Sequence, residues 1–238
     1  VYKRQARVWL NELAASGIGV WQFLPLAPPD SFGSPYSSPS SFAFNPWFLD
    51  QNDLVRDGFL ANSLEKFSSE NNYVDNRVDS QLANSRVKLL RSFLVDYWDK
   101  QNRTTQKEFE RWCSKQFWLD DHSIFMELKI QNNDLPWWEW PDKYAVRDKN
   151  ELENWKKNNQ RELLGHNLLQ WHLDRQWKSI RKLAKYLGIF LFGDVPFYVS
   201  KDSADVWSNR SLFSILTNSD TFLQSCLLYT SDAADDSL

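Results

Sequence analysis

Polar side chains follow two apolar runs of the sequence, at places where protein folds often carry their chemistry. Asp194 comes shortly after the run 189–192, and its carboxylate offers two acceptor oxygens to a ligand. Ser34 and Tyr36 lie in the segment 21–50, whose prolines restrict the backbone and hold the hydroxyl groups in place. An ordered loop that binds a ligand and a rigid loop that binds none are both compatible with this composition.

The elements that must position these residues follow one order, which is a helix, a glycine and then a short apolar strand. The first set is a helix over 8–14, Gly17 and a buried strand over 19–26; the second is a helix over 169–187, Gly188 and a strand over 189–192. Four consecutive apolar residues are typical of a parallel strand that is buried on both faces. The pattern predicts an α/β fold, in which functional residues collect at the carboxyl ends of the strands.

A long polar and aromatic stretch, about 51–159, separates the two sets. It shows no alternating strand pattern, and its periodicity predicts helices over 80–98, 104–117 and 151–162, with an aromatic turn between prolines at 136–144. A direct connection between two parallel strands needs far fewer residues. We therefore expect a mostly helical insertion.

Composition excludes several function classes. The 28 basic and 31 acidic side chains leave a net charge of -3, which gives no long-range attraction for nucleic acid. No apolar run is long enough for a membrane span, and no signal peptide opens the chain. Two cysteines and three histidines without ligand spacing predict neither a disulfide framework nor a metal site. We expect a cytoplasmic setting.

Aromatic residues make up 16% of the chain and include 13 tryptophans. Their rings bury large areas in any core, but flat faces also stack on the apolar faces of sugar rings. For any single tryptophan the core interpretation is favoured, and a carbohydrate cleft is the alternative.

The segment 21–50 resembles the signature of the 4-alpha-glucanotransferase (amylomaltase) family. The family's Trp-Gln-x-Leu-Pro-Leu is matched at 21–26, its Gly-x-Ser-Pro-Tyr at 33–36 with one residue fewer, and its Ser-x-Phe-Ala-Gly-Asn-Pro at 40–46 with Phe44 in place of glycine. The segment 193–209 is similar to a second family block, Gly-Asp-x-Pro-Ile-Phe-Val-Ala-x-Asp-Ser-Ala-Asp-Val-Trp. The resemblance covers roughly 6–225.

This resemblance implies an incomplete (β/α)8 TIM barrel that carries the helical insertion. It implies transfer of alpha-1,4-glucan segments between malto-oligosaccharides, or glucans derived from starch or glycogen, with retention of configuration and without a metal or organic cofactor. Tyr36 would stack on or flank a glucose ring, Ser34 would contact sugar hydroxyls, and Asp194 would hydrogen-bond to glucose at the cleavage subsite. A helix N-cap or a structural loop contact is the alternative for Asp194. Asp202, Ser203 and Asp205 are expected to cap and order the next helix.

The two ends depart from the family pattern. Residues 1–5 and 226–238 resemble translated adaptor or vector sequence, so we expect a non-native leader and tail around an incomplete catalytic domain at 6–225. A retaining transfer needs two carboxyl groups about 5 Å apart. The family motifs that carry the nucleophile, the acid/base and the stabilising Asp do not occur in this sequence, so we expect a fragment without catalytic residues and without activity.

Two other functions remain open at this point. One is a non-catalytic glucan-binding module that uses Tyr36, Asp194 and nearby aromatic rings, and the other is an alpha-glucan hydrolase of the same clan. An incomplete barrel also exposes open strand edges, which predicts marginal stability and aggregation.

Overall fold

The computed structural model describes residues 2–60, 79–196 and 198–213, and its regular elements are mostly helices. The helices are α1 (Tyr2–Ala15), α2 (Gln51–Arg56), α3 (Ser80–Trp98), α4 (Arg103–Cys113), α5 (Leu119–Gln131), α6 (Asp142–Ala145), α7 (Lys149–Asn158), α8 (Gln160–Tyr186) and α9 (Ala204–Ser208). The strands are β1 (Val20–Gln22) and β2 (Phe190–Phe192). Single 3-10 turns lie at Pro35–Ser37, Pro46–Phe48, Trp137–Glu139 and Arg210–Leu212.

The two strands pair directly with each other in parallel. Val20 is opposite Phe190, and Gln22 is opposite Phe192. The ladder continues at both ends, because the N–H of Phe190 donates to the carbonyl of Gly19 at 2.8 Å and the N–H of Phe23 donates to that of Phe192 at 3.0 Å. The predicted parallel arrangement of these two segments is therefore confirmed.

The helix before each strand ends in the same way, at a glycine with a positive φ. Gly17 and Gly188 each have a φ of +71°, a conformation that glycine adopts without the penalty of a Cβ. The turn lets the N–H of Ile18 donate to the carbonyl of Leu13, and that of Ile189 donate to Ala184, both at 2.9 Å. The predicted order of helix, glycine and strand is confirmed at both places.

The prediction that these strands are buried on both faces is wrong. Each is only three residues long, and residues 190 and 192 of β2 are 76% and 60% exposed. Side chains alternate between the two faces of a strand, so Trp21 and Leu191 turn to the core while Val20 lies on the opposite face with Phe190. The side chains of Val20, Phe190 and Phe192 on that opposite face are each more than half exposed.

Every regular element described between residues 51 and 159 is helical. The helix predicted at 80–98 has those bounds, and the one predicted at 104–117 ends earlier, at Cys113. The helix predicted over 151–162 is wrong as one element, because α7 ends at Asn158 and α8 begins at Gln160. The aromatic turn at 136–144 contains a 3-10 turn and the start of α6.

Helix α5 was not predicted. Polar residues on it are buried together with the apolar ones, including His122, Ser123 and Glu127. A helix that is covered on most of its circumference shows no apolar stripe in its sequence.

The chain divides into two compact units. Unit 1 contains Val1–Phe23, Phe44–Gln116 and Leu164–Gly193, and unit 2 contains Leu24–Ala43, Phe117–Leu163 and the residues from Asp194 onward. Helix α1 begins at Tyr2 and therefore includes residues 2–5, whose non-native origin stays a prediction. The predicted tail, 226–238, lies outside the described residues.

The described residues of unit 1 form two apolar clusters. One joins α1 to the second half of α8 and the start of β2 through Leu10, Leu13, Ile180, Ala184 and Ile189. The other surrounds the middle of α8 and is rich in rings, including Phe59, Phe109 and Trp171. These clusters fix the helices that precede both strands.

In the part of unit 2 that the structure describes, one apolar cluster is built mainly on α5, α7 and α9. Its largest fully buried side chain is Trp207, whose indole N–H donates to the carbonyl of Tyr144 at 3.0 Å. Phe125 and Trp140 pack against the Trp207 ring with centroids 5.9 and 5.8 Å away. Burying aromatic rings of this size dominates the stabilisation of a small core.

Candidate functional site

The loop of unit 2 that carries Ser34 and Tyr36 is held by Asp30. One oxygen of the Asp30 carboxylate accepts the N–H groups of Phe32 at 2.9 Å and Ser34 at 2.8 Å. The backbone closes the same turn, since the N–H of Asp30 donates to the carbonyl of Ser34 at 3.0 Å. Gly33 has a φ of +86°, which few other residues adopt without strain. The loop is therefore ordered by its own sequence.

Ser34 acts as the N-cap of the 3-10 turn Pro35–Ser37. Its Oγ accepts the N–H of Tyr36 at 3.3 Å, and Pro35 stands at the first position of the turn, where its missing N–H costs nothing. A serine hydroxyl keeps one donor hydrogen when its oxygen is an acceptor. Ser34 is thus positioned locally, and its predicted contact with a sugar hydroxyl stays a prediction.

Tyr36 and Asp194 are brought together within unit 2. The phenol Oη of Tyr36 donates to Oδ2 of Asp194 at 2.7 Å, although the two residues are 158 positions apart. The hydrogen bond to Asp194 raises the pKa of Tyr36, and partial desolvation and the negative charge of the carboxylate raise it further. Tyr36 as a whole residue remains 42% exposed. A ligand can therefore reach both a flat ring and a carboxylate.

Asp194 is not a helix N-cap. It follows β2 and Gly193, and the next described helix, α9, begins ten positions later at Ala204. Its side chain instead reaches Tyr36 on the other loop, a contact that is compatible with either a structural or a ligand-binding role.

The capping prediction holds for one of the three residues before and within α9. Ser203 is the N-cap, with its Oγ accepting the N–H of Val206 at 3.2 Å. Asp202 instead forms an ion pair with Lys129 on α5. Asp205 lies in the first turn of α9 and accepts the N–H of Ser41 at 2.9 Å, so its carboxylate ties the loop to the helix. For Asp202 and Asp205 the capping prediction is wrong, because each finds a partner outside the helix end.

Nine of the 13 tryptophans lie in or against an apolar cluster, as the favoured interpretation expected. Five indole rings on different elements are at most 7% exposed: Trp137, Trp140, Trp155, Trp171 and Trp207. The exposed rings of the described part of unit 2 include three phenylalanines together with Tyr36, Tyr198 and Trp138. Phe32, Phe42 and Phe117 stand on loops or next to a helix start, where a ligand can reach them.

Two glutamines of α8, Gln170 and Gln176, bind the backbone of the segment 44–50 within unit 1. The sequence by itself predicted no role for them. The side-chain amide of Gln170 makes two hydrogen bonds with the backbone of Phe44, both of 2.9 Å. Gln176 makes the same pair with the backbone of Asp50, at 3.0 and 2.9 Å. Phe44 occupies the position where the resembled pattern has glycine, and it packs against the ring-rich cluster of unit 1.

A small pocket in unit 2 was also missed. Its volume is about 100 Å³, and its lining comes from the loop near Phe42, the start of α5 with Trp118 and Asp121, and the α9 region with Asp205 and Asn209. The signal in the sequence was an aromatic pair, Phe117 and Trp118, directly before a helix with an acidic first turn.

Neither a metal cluster nor a membrane helix is found in the residues that the structure describes. Groups of three or more His, Cys, Asp or Glu side chains that could hold a metal ion are absent from them. No helix in these ranges combines the length and the apolar content that a membrane crossing needs.

Comparison with known proteins gives one consistent result. The sequence profile of the 4-alpha-glucanotransferase family matches residues 2–219. Curated proteins named 4-alpha-glucanotransferase are similar along most of the chain: one from Synechocystis sp. is 33% identical over 209 residues, covering 87% of this chain and 41% of that protein. One from Clostridium butyricum is 33% identical over 224 residues, which are 92% of this chain and 44% of that protein. One from Thermus thermophilus is 32% identical over 217 residues, which are 90% of this chain and 42% of that protein.

The fold is also similar to a solved structure. The amylomaltase from Streptococcus agalactiae in complex with acarbose superposes with a TM-score of 0.81 at 24% identity, covering 94% of this chain and 47% of that one. The chain therefore spans less than half the length of these relatives. Because the family profile matches nearly all of the sequence, the chain belongs to the 4-alpha-glucanotransferase family.

Proposed function

We propose that this chain supplies part of the glucan-binding cleft of a 4-alpha-glucanotransferase, with Tyr36 and Asp194 holding one glucose unit. The observation that carries the proposal is the 2.7 Å hydrogen bond between these two side chains, which places a flat ring beside a carboxylate. A carboxylate accepts hydrogen bonds from two neighbouring sugar hydroxyls, while an aromatic ring covers the apolar face of the sugar. Ser34, two residues before Tyr36 on the same turn, supplies a third polar group.

The proposed architecture is an incomplete (β/α)8 barrel with a helical insertion. Two features support it: β1 and β2 are adjacent parallel strands, and the described residues between 51 and 159 form helices. In such barrels, binding residues follow the carboxyl ends of the strands. Tyr36 follows β1 along the chain, and Asp194 comes two residues after β2.

We propose that the whole protein transfers alpha-1,4-glucan segments with retention of configuration, and that the 238 residues alone bind glucan without transferring it. A retaining transfer requires a carboxylate nucleophile and an acid/base at close distance. The family motifs that carry them are absent from this sequence. Maltotriose incubated with the chain should yield no longer oligosaccharides, and any disproportionation would contradict the proposed lack of activity.

The binding role is tested by calorimetric titration of the chain with maltoheptaose. Asp194→Asn should raise the Kd about tenfold, since one charged acceptor is lost. Tyr36→Phe keeps the ring and should have a smaller effect than Tyr36→Ala. Glu139→Gln, at an exposed carboxylate of the same unit, is the matched control. An unchanged Kd for both Asp194→Asn and Tyr36→Ala would overturn the assignment.

A further inference from the structure

The small pocket of unit 2 is a built site that the proposed role of Asp194 does not use. Three separate segments line it, namely the loop 40–42, residues 117–121 and residues 204–209. Its volume of about 100 Å³ corresponds to roughly three water molecules. Sites for whole cofactors or drug-sized ligands measure about 300 Å³ or more. The pocket is therefore of the size to receive one edge of a single ring.

One wall of the pocket is aromatic. Phe42 stands edge-on to Phe117 with ring centroids 5.0 Å apart, and it lies nearly parallel to Trp118, with an interplanar angle of 17°. Phe117 is 80% exposed, and Phe42 is about half exposed. In this pocket the neighbouring rings fix the orientation of the two exposed phenylalanines. The wall therefore offers two apolar ring surfaces that are open to solvent and stand at an angle of 76° to each other.

The other wall is polar. Asp205 accepts the N–H of Ser41, and the side-chain amide of Asn209 donates to the carbonyl of Asp205 at 3.1 Å. Burial is the largest influence on Asp205 and raises the pKa of its carboxyl, although hydrogen bonds from Ser41 oppose this effect. Asp121 completes the wall and is paired with the guanidinium of Arg147. The wall thus presents carboxylate acceptors and an amide at fixed positions.

The charges of the pocket exclude most small ligands. Among the described lining residues there is no Lys or Arg, so an anion finds no partner. One of the two carboxylates, Asp121, is already neutralised by Arg147, which reduces the attraction for a cation. A neutral ring with hydroxyl groups on its edge and an apolar face satisfies both walls at once.

We propose that this pocket binds one ring of a neutral saccharide, with its apolar face on Phe117, its edge against Phe42 and its hydroxyls on Asp205 and Asn209. Phe42 lies six residues beyond Tyr36 on the same loop, so their Cα atoms are at most about 22 Å apart. One oligosaccharide of moderate length can span that distance. The pocket adds a second point of contact for a glucan, beyond the site at Asp194 and independent of it.

Titration of the full 238-residue chain with maltotriose tests the proposal, followed by NMR of the side-chain amide of Asn209 and the indole N–H of Trp118. Both resonances should shift and saturate in the wild type and in Asp194→Asn. Phe117→Ala should raise the Kd read from these resonances about threefold to tenfold, and Phe117→Trp should restore it. Because Phe117 is so exposed, its replacement does not threaten folding. Tyr186→Ala, at a ring that is 86% exposed in unit 1, is the control.

The outcomes separate this proposal from the one for Asp194. If Asp194→Asn weakens overall binding while Phe117→Ala leaves the titration unchanged, the pocket proposal is overturned and the cleft proposal stands. If Phe117→Ala weakens binding and Asp194→Asn does not, the pocket proposal stands and the cleft proposal is overturned. Sorbitol, an open-chain polyol, should not shift the two resonances, because it lacks a ring face. Equal shifts with sorbitol, or displacement of maltotriose by calcium chloride, would also overturn the pocket proposal.

Discussion

The phenol of Tyr36 donates a hydrogen bond to the carboxylate of Asp194 across 158 residues of sequence. The bond gives the carboxylate a fixed direction in the absence of sugar. A ligand that takes the same carboxylate oxygen must replace this bond, so the affinity of the site depends on both residues together.

Ionisation of Tyr36 reports this contact directly. The bond to Asp194 raises the pKa of Tyr36 above its ordinary value of about 10, so the stabilisation that it provides is present below that pH and is lost as the pH rises through the raised value. Asp194→Asn should lower the pKa of Tyr36 toward 10. Alkaline titration of chain labelled with ¹³C at tyrosine Cζ measures it, with Tyr36→Phe assigning the resonance. An identical midpoint in Asp194→Asn would show that the two groups do not interact in solution.

Asp53 in unit 1 should make folding sensitive to acid. Burial of Asp53 opposes its ionisation, but Arg7 and Arg56 outweigh burial and hold the pKa of the carboxyl below its usual value. The stabilisation is therefore present above about pH 4 and is lost as the pH falls through the lowered value. Asp53→Asn should lower the free energy of unfolding by about 2 kcal/mol at pH 7 and by much less near pH 2.

Urea unfolding at a series of pH values measures this difference. Asp99→Asn, at an exposed carboxylate of the same unit, is the matched control and should change little. If Asp53→Asn lowers the free energy of unfolding by the same amount at pH 7 and near pH 2, the proposed pairing with Arg7 and Arg56 is contradicted.

Loss of the cap of α9 should destabilise unit 2. Ser203 is fully buried and accepts the N–H of Val206, so Ser203→Ala should cost about 1 kcal/mol. The exposed Ser179 on α8 is the control, where alanine should be neutral or slightly stabilising. Thermal unfolding of the two variants compares them, and equal midpoints would argue against the cap.

The uncovered face of the sheet should limit solubility. Phe190→Thr with Phe192→Thr replaces two exposed rings by a residue that keeps strand propensity, so aggregation should fall while stability changes little. Ile189→Thr, at a side chain that is 5% exposed, should instead cost about 2 kcal/mol. Size-exclusion chromatography at increasing concentration gives the fraction of monomer. Unchanged aggregation in the double variant would mean that association occurs through another surface.

Part of the fold could be predicted because its signals are local. The stripe of α3, the glycines at 17 and 188 and the hydroxyl of Ser203 each act within a few residues, and the structure confirms them. Helix α5 escaped prediction because it is buried on most sides and has no stripe. The exposure of one face of each strand was not predicted either, because a short apolar run does not indicate which of its two faces is covered.

The amino-acid sequence by itself determined the family, and it predicted Ser34, Tyr36 and Asp194 as sugar-binding residues. Only the tertiary structure decided that the phenol of Tyr36 meets Asp194, and that Phe42, Asp121 and Asp205 share one pocket. The physical reason is the separation in sequence between the residues that interact. A cap or a turn is stabilised by neighbours in the chain, whereas these contacts exist only after distant segments have packed and the entropy of closing long loops has been overcome.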